Sequence, residues 1–343
     1  MPHRTFFAFI LPSLIVMILF IALPIVSVAY QSLFIEHEQI LVEVESCGPF
    51  GCNSEVRVDA AAMRELRAEQ PMGRFAGLGT YLDARHLAVD EIGAIWANRF
   101  SFWDAVGKTL NLPFYKALSF TLLYTFIVTP LVIILGFFIA LGVNSVPRLL
   151  KGPVIFFSLL PMIVTPLIGS LVLFWMIDAR GIIGATLQSV FQDPTLSLKA
   201  SPTLTWVVLF VYGVWHMVPF AFLVFYAGLQ TVPNDTLESA MIDGASRWER
   251  TRFVTIPHLM PLATFVALVQ LMDNFRVFEP IIGFSASASA TSLSWLIYND
   301  LRAADAPLFG SAAATSLLTV IGVAILLLPV LVRTWREFNR KAT

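Results

Sequence analysis

Six long apolar stretches, separated by polar segments, constrain the fold of this chain more than any other feature. A helix needs about 20 consecutive apolar residues to cross the hydrocarbon layer of a membrane, and every stretch reaches that length. Only 13% of the residues are charged, whereas a soluble domain carries about a quarter. We therefore predict an all-α membrane protein with six transmembrane helices, at approximately Phe6–Tyr30, Ala117–Val143, Pro153–Ile177, Leu204–Leu229, Pro261–Phe284 and Leu308–Val332.

The spacing of these stretches divides the chain into four regions. Residues 1–30 hold the N-terminus and a first apolar run longer than the roughly 7–15 residues of a signal peptide, so we expect this helix to be retained. Residues 31–113 form a polar insertion, 114–332 hold the other five helices with a polar loop at 230–260, and 333–343 form a tail. In the insertion, 59–70 is predicted to be helical. Its aromatic residues favour a packed subdomain over a floppy spacer.

Two cysteines, Cys47 and Cys52, lie close together in the insertion and enclose the turn-forming tetrapeptide Gly-Pro-Phe-Gly. A local disulfide is expected if this segment faces an oxidising compartment, and two unpaired thiols are the alternative.

Lysine and arginine in the short loops predict the orientation in the membrane. Arg4, the loop with Arg148 and Lys151, the 230–260 loop and the C-terminal tail fall on one side, and the short loops opposite hold only Arg180, Lys199 and Arg302. We therefore expect both termini and the 230–260 loop in the cytoplasm, and the insertion outside.

The polar stretch from Pro233 to Pro257 has the pattern of two short helices joined at Gly244, a residue suited to a left-handed helix end. Asp235 is predicted to cap the first helix, with Glu238 reaching back to the cap, and Ser246 with Glu249 forms a capping box for the second. Pro257, which lacks an amide donor, is predicted to close the unit. A loop with this much structure is typical of a docking surface.

The same stretch resembles the coupling loop of ABC importer permeases, whose pattern is E-A-A-x3-G-x9-I-x-L-P. Here it reads Glu238-Ser239-Ala240, Gly244 and Val254-Thr255-Ile256-Pro257, with the spacing kept. The flanking Ala227-Gly228-Leu229-Gln230 and Asp243-Gly244-Ala245 resemble the carbohydrate branch of these permeases. The residues implied to couple to an ATPase are Glu238, Ser239, Ala240, Met241, Asp243, Gly244, Phe253 and Pro257.

That resemblance implies the type I importer fold in a bacterial or archaeal cytoplasmic membrane. The implied partners are a second permease subunit, an ATPase dimer that carries ATP and Mg, an external solute-binding protein and a carbohydrate substrate. No cofactor is expected on this chain, and it is not expected to be an enzyme itself.

A substrate path between the fourth and fifth spans is also implied by the resemblance. Its candidate residues are Gly213, Trp215, His216, Met217, Phe220, Gln270, Leu271, Asp273 and Asn274. Aromatic faces and amide groups suit a sugar, but helix packing is an equal alternative for the aromatic residues, and an interior role is the simpler one for the histidine. Asp273, Arg276 and Glu279 are spaced three apart and could form an ion-pair ladder on one helix.

The main alternative is an ion-gradient-driven secondary transporter with Asp273 and Glu279 as proton carriers, although inverted halves are not apparent in the chain. An intramembrane enzyme is a third class. Gly107-Lys108-Thr109 resembles the end of a phosphate-binding loop, but Phe102 stands where a glycine is required. Lys108 is therefore predicted to be solvated or to meet lipid headgroups. Neither a metal-ligand cluster nor a basic patch for nucleic acid is apparent.

Overall fold

A computed structural model describes residues 3–37, 40–48, 51–99, 101–199, 201–303 and 307–340. The chain separates into two compact units. The first comprises residues 1–115 with 296–320, and the second comprises 116–295 with 321–343.

The first unit contains the N-terminal helices, the insertion and parts of three helices that continue into the second unit. Its ordered elements in chain order are α1 (His3–Met17), a π-helical turn (Ile18–Ala22), α2 (Leu23–Gln31), β1 (Phe34–Ile35), β2 (Leu41–Gly48), β3 (Gly51–Val58), α3 (Ala60–Glu69), β4 (Arg74–Phe75), α4 (Gly79–Leu82), α5 (Val89–Ala97) and α6 (Phe102–Leu110). β1 pairs with β4, and β2 with β3, both antiparallel. The predicted helix at 59–70 is confirmed, and the Asp59 carboxylate accepts bonds from the Ala61 and Ala62 amides at its start.

The second unit consists of helices. They are α7 (Pro113–Ser145), α8 (Arg148–Ile163), α9 (Pro166–Met176), α10 (Ile182–Phe191), α11 (Pro202–Leu229), α12 (Asn234–Ile242), α13 (Arg247–Arg250), a second π-helical turn (Thr251–Thr255), α14 (Ile256–Phe275), α15 (Glu279–Gly283), α16 (Leu293–Leu301) and α17 (Phe309–Arg340). The helices α7, α16 and α17 each extend into the first unit.

Among the described residues, five helices are long and apolar enough to cross a membrane, and a sixth span results if α8 and α9 count as one. The predicted all-α fold with six spans is confirmed on that basis. The third predicted span, Pro153–Ile177, is not one continuous helix, because α8 and α9 meet at an angle of 94°. Val164 and Thr165 at the break are extended, as expected for residues leading into Pro166, which disfavours helical geometry in the residue before it.

The fifth span also differs from its predicted limits of Pro261–Phe284. Its helix begins earlier and ends at Phe275, and the chain starts a separate short helix, α15, at Glu279. Pro280 lies in the first turn of α15, where the missing amide donor of a proline is tolerated. Between the fifth and sixth predicted spans, Leu293–Leu301 form the short helix α16.

Both π-helical turns stand in the same position relative to a proline. The first lies just before Leu23 and Pro24, and the second lies just before Ile256 and Pro257. In each case the intervening residue donates its amide to a carbonyl five residues back. A proline ring presses on the carbonyl four residues earlier, and a widened turn relieves this contact while the helix continues.

Close packing of α7 against α11 forms much of the core of the second unit. Gly136 of α7 approaches α11 so closely that a β-carbon there would lie 2.6 Å from the β-carbon of Ala221. Ala140, one helical turn further on, is fully buried. Small residues at these two positions allow the two helices to approach closely.

Candidate functional site

Residues 230–255 link α11 to α14, and we call them the linking segment. α12 and α13 are separated by Gly244, whose φ of +79° is the left-handed conformation that glycine adopts without strain at a helix end. The Gly244 amide donates to the Met241 carbonyl at 3.0 Å, and the Ala245 amide donates to the Ala240 carbonyl at 2.9 Å. The predicted helix–glycine–helix arrangement is confirmed.

The two helices are capped differently. At α13, the Ser246 hydroxyl accepts from the Glu249 amide at 3.3 Å and the Glu249 carboxylate accepts from the Ser246 amide at 2.7 Å, so the predicted capping box is confirmed. The prediction that Asp235 caps α12 is wrong. Pro233 occupies the cap position in an extended conformation, and Asp235 lies in the first turn without a capping bond from its side chain. Asp235 contributes only its charge at the positive end of the helix.

The second half of the linking segment is continuous with α14. Helical geometry runs from Arg247 through the π-helical turn to Phe275 without a break. The prediction that Pro257 closes the unit is therefore wrong, because the turn at Thr251–Thr255 accommodates this proline inside the helix. α13, the π-helical turn and α14 therefore form one continuous helical segment.

Large apolar side chains project from the linking segment into solvent. Ile242 is 86% exposed and Phe253 is 68% exposed, and Met241 and Trp248 are also exposed. The guanidinium of Arg252 lies 5.5 Å from the centre of the Phe253 ring. Exposed apolar residues grouped in this way are typical of protein–protein or membrane interaction sites. Of the other predicted coupling residues, Ala240 is half-buried and the exposed ones are Glu238, Ser239, Asp243 and Pro257.

Polar side chains tie the linking segment to the neighbouring helices. The Thr231 hydroxyl lies 3.1 Å from Nε2 of His258 on α14. The Gln230 amide donates to the Asn144 side chain at 3.2 Å, near the end of α7. Sequence reasoning missed His258 and Asn144 because each is a single polar residue at the end of an apolar run. They hold the ends of α7, α11 and α14 together at the linking segment.

On α11, the predicted path residues fall into different environments. Gly213 is buried against the Tyr124 hydroxyl of α7. His216 lies against the break in the third span, where its Nδ1 is 2.9 Å from the Pro161 carbonyl. Its ring stacks on Tyr212 at 5.8 Å, and the Tyr212 hydroxyl donates to the Pro166 carbonyl at 2.7 Å. The histidine and the tyrosine thus bond to backbone carbonyls on both sides of the break.

Trp215 faces an apolar groove between α7, α8 and α11 with a volume of about 540 Å³. The lining residues include Leu131, Leu135, Phe157 and Val214, and none of the predicted path residues on α14 lines it. Met217 is half-buried against the core, and Phe220 packs on Phe265 of α14 with ring centres 6.4 Å apart.

On α14, Gln270 and Asn274 are each only 1% exposed. The Asn274 amide donates to the Thr129 hydroxyl of α7 at 3.0 Å and lies 3.4 Å from the Gln270 side-chain oxygen. The Asn274 side-chain oxygen is buried without a partner in the described part of the chain. Asn274 therefore bonds to α7 in this conformation, Gln270 is buried beside it, and Leu271 is half-buried. Thr129 joins this polar cluster and was not identified from the sequence.

The predicted ion-pair ladder forms only in part. Arg276 donates to the Asp273 carboxylate at 3.0 Å. Glu279 lies beyond the end of α14, on α15, so it does not share their helix. The Arg276 side chain is 56% exposed.

The predicted cysteine pair lies outside the described side chains. Its backbone is described, and places Cys47 and Cys52 directly opposite each other on β2 and β3. No group of three or more His, Cys, Asp or Glu side chains that could hold a metal ion occurs among the residues described.

Several helices long and apolar enough to cross a membrane, with a capped polar linking segment between two of them, define a multi-pass membrane protein. The chain belongs to the family described as binding-protein-dependent transport system inner membrane component, which matches residues 93–336.

Relatives in this family include permeases named for sugar transport. The trehalose/maltose transport system permease protein MalF of Thermococcus litoralis is 32% identical over 136 residues, which cover 39% of this chain and 45% of the relative. The maltodextrin transport system permease protein MdxF of Bacillus subtilis is 30% identical over 259 residues, covering 67% of this chain and 59% of the relative. The chain thus spans about half the length of these relatives.

The fold is shared with a solved structure, a bacterial ABC transporter involved in the import of the acidic polysaccharide alginate. The TM-score is 0.60 with 21% sequence identity, and the match covers 81% of this chain and 97% of the other. At this identity the likeness supports the type I permease fold.

Proposed function

We propose that this chain is the transmembrane subunit of an ATP-driven importer for a carbohydrate delivered by an external binding protein. The observation that carries the proposal is the linking segment, which exposes Ile242 and Phe253 and runs without a break into α14. An ATPase that binds these apolar side chains would move α14 as a rigid body. The sugar transport named for the relatives supports the substrate class.

The partners follow from this mechanism. An ATPase dimer holds ATP and Mg and docks on the linking segment, and a second permease subunit completes the path. Both termini and the linking segment lie in the cytoplasm, and residues 31–113 lie outside, where a Cys47–Cys52 disulfide is stable. Directly opposed residues of antiparallel strands have α-carbons about 4.5–5.5 Å apart, within the range that a disulfide bridges.

The path runs between α11 and α14. Gln270 and Asn274 are buried against α7 in this conformation, so they reach a substrate only when α14 moves away from α7. ATP-driven movement of the linking segment supplies that displacement and produces alternating access. Trp215 and Phe220 would then offer aromatic faces to the sugar, with the two amides as hydrogen-bonding groups.

Transport in reconstituted vesicles tests the proposal. The chain, with the subunits that co-purify, should accumulate a sugar only with ATP and the binding protein, and a protonophore should not reduce uptake. Phe253→Ala should lose both the ATPase and uptake. Trp335→Ala, which removes an exposed aromatic outside the linking segment, is the matched control and should retain both. Uptake that needs no ATP and collapses with the protonophore would establish the secondary transporter instead.

A further inference from the structure

The short helix α6 presents an apolar stripe to its surroundings. Trp103, Gly107 and Leu110 are spaced four and three residues apart and therefore share one face. Trp103 is 78% exposed and Leu110 is 46% exposed, whereas Ala105 on the opposite face is fully buried. Phe102, also exposed, packs edge-on against Trp103 with ring centres 5.5 Å apart. None of the described residues of the first unit packs over this stripe.

The position of α6 in the chain places the stripe beside a membrane boundary. α6 ends at Leu110, and the transmembrane helix α7 begins at Pro113. The two residues between them are held in a tight turn, since the Asn111 amide bonds the Gly107 carbonyl and the Leu112 amide bonds the Thr109 carbonyl. Three residue steps span at most about 11 Å, so Leu110 lies within that distance of the start of the span.

Other span boundaries in the first unit also carry exposed aromatic residues. Tyr30 stands at the end of α2 and packs on Phe34, which packs on Phe75, with ring centres 5.2 and 5.5 Å apart. Phe309 is the first residue of α17. Tyr30, Phe75 and Phe309 are all more than half exposed. Aromatic side chains at the level of the headgroups form such belts in membrane proteins.

We propose that α6 lies in the interfacial layer of the leaflet where α7 begins, with Trp103 and Leu110 inserted among the acyl chains. The apolar stripe is therefore in contact with phospholipid. Lys108, on another face, pairs with Asp104 at 2.8 Å, so the only cation on α6 is already neutralised. The attachment depends on buried apolar area and does not require anionic headgroups. The proposal is independent of the transported substrate and of the energy source.

Site-directed labelling tests this placement. In a Cys47→Ser, Cys52→Ser background, Trp103→Cys and Lys108→Cys each carry one environment-sensitive fluorophore on the full chain, with its co-purifying subunits, in phosphatidylcholine vesicles. Position 108 is the matched control, because it is exposed on the same helix but off the stripe. We expect a lipid-borne shallow quencher to act strongly at 103. Aqueous iodide should quench several-fold less at 103 than at 108.

Equal access of iodide to both positions would overturn the proposal. Protection of 103 that appears only after a solute-binding protein is added would also overturn it, since the stripe would then be a protein contact. If a labelled variant fails to fold, lipid brominated near the headgroup provides a second test. Trp103→Phe should lower the quenched fraction of tryptophan emission relative to the wild type, and an unchanged fraction would contradict the proposal.

Discussion

The side-chain amide of Asn274 donates a hydrogen bond to the Thr129 hydroxyl at 3.0 Å, joining α14 to α7 in the interior of the second unit. This bond connects residues 145 positions apart. It holds the side-chain amide of Asn274 against another helix. In the proposed mechanism, this amide reaches a substrate only after that contact opens.

Thr129→Val should weaken this contact, because valine keeps the shape of threonine but cannot accept the bond. Interhelical hydrogen bonds in membranes contribute about 0.6 kcal/mol on average, so we expect a small fall in the thermal midpoint. Asn274→Leu should cost a similar amount. The double variant should lose less than the sum, which a double-mutant cycle measures. Thr264→Val is the control, since Thr264 bonds only within α14, to Met260. Simple additivity of the two changes would refute the coupling.

Gly244 should accept asparagine better than alanine or aspartate in a transport assay. Its φ of +79° costs an L-residue about 1–2 kcal/mol, while asparagine visits this conformation more readily. A β-carbon at Gly244 meets no atom of the described residues within 4 Å, so in the proposed mechanism a side chain at this position clashes with the docked ATPase. Gly244→Asp should abolish uptake and leave the protein in the membrane, as immunoblotting of the membrane fraction would verify. Wild-type uptake in that variant would contradict the proposed role of Gly244 in coupling to the ATPase.

His216 should matter for stability more than for substrate recognition. It bonds the Pro161 carbonyl at the break between α8 and α9, and Tyr212 bonds the Pro166 carbonyl. His216→Phe leaves the Pro161 carbonyl near the end of α8 unpaired, which costs about 1–3 kcal/mol. Tyr212→Phe removes one of two bonds to the Pro166 carbonyl, which still accepts within α9, and should cost less. Both variants should therefore melt earlier, with the sugar concentration for half-maximal uptake unchanged. A marked change in that concentration for His216→Phe alone would instead make the histidine a ligand.

Much of this architecture was predictable because apolar length and capping chemistry are local properties. The six apolar stretches and the Ser246–Glu249 capping box required only neighbouring residues. The positions at which the helices bend or end were harder to predict from the sequence. The prolines 161, 166, 257 and 280 all interrupt apolar stretches, but Pro257 lies inside a continuous helix, whereas Pro280 starts a new one. An average of hydropathy along the sequence does not distinguish these prolines from one another.

The candidate site was less accessible to sequence reasoning because its contacts join distant parts of the chain. Gln270 and Asn274 were identified as polar residues on one face of α14, but Thr129 lies among many apolar residues of α7. Likewise, the resemblance placed His216 and Trp215 together on a path. The structure directs the histidine toward the helix break and the tryptophan toward an apolar groove.

Stability should depend on pH through Asp300 in the first unit. Its carboxylate accepts a bond from the Ser311 hydroxyl at 2.7 Å, and burial raises the pKa of Asp300 above its ordinary value of 3.8. Arg85, His86 and Glu36 are the charged and titratable groups near it. A raised pKa means that the folded state holds the proton more firmly. The stabilising contribution is therefore complete below pH 3.8 and is lost as the pH rises through the folded-state pKa.

Asp300→Asn should remove this dependence, because asparagine keeps an acceptor for Ser311 and has no charge to desolvate. Relative to the wild type, its thermal midpoint should rise as the pH rises from about 4, and the difference should become constant above the folded-state pKa of Asp300. Asp178 provides a control of opposite sign, because a hydrogen bond from Lys199 is the main cause that lowers its pKa. Asp178→Asn should lose stability relative to the wild type as the pH rises, by a small amount because the pair is exposed. Slopes of the same sign in both variants would contradict the assignment for Asp300.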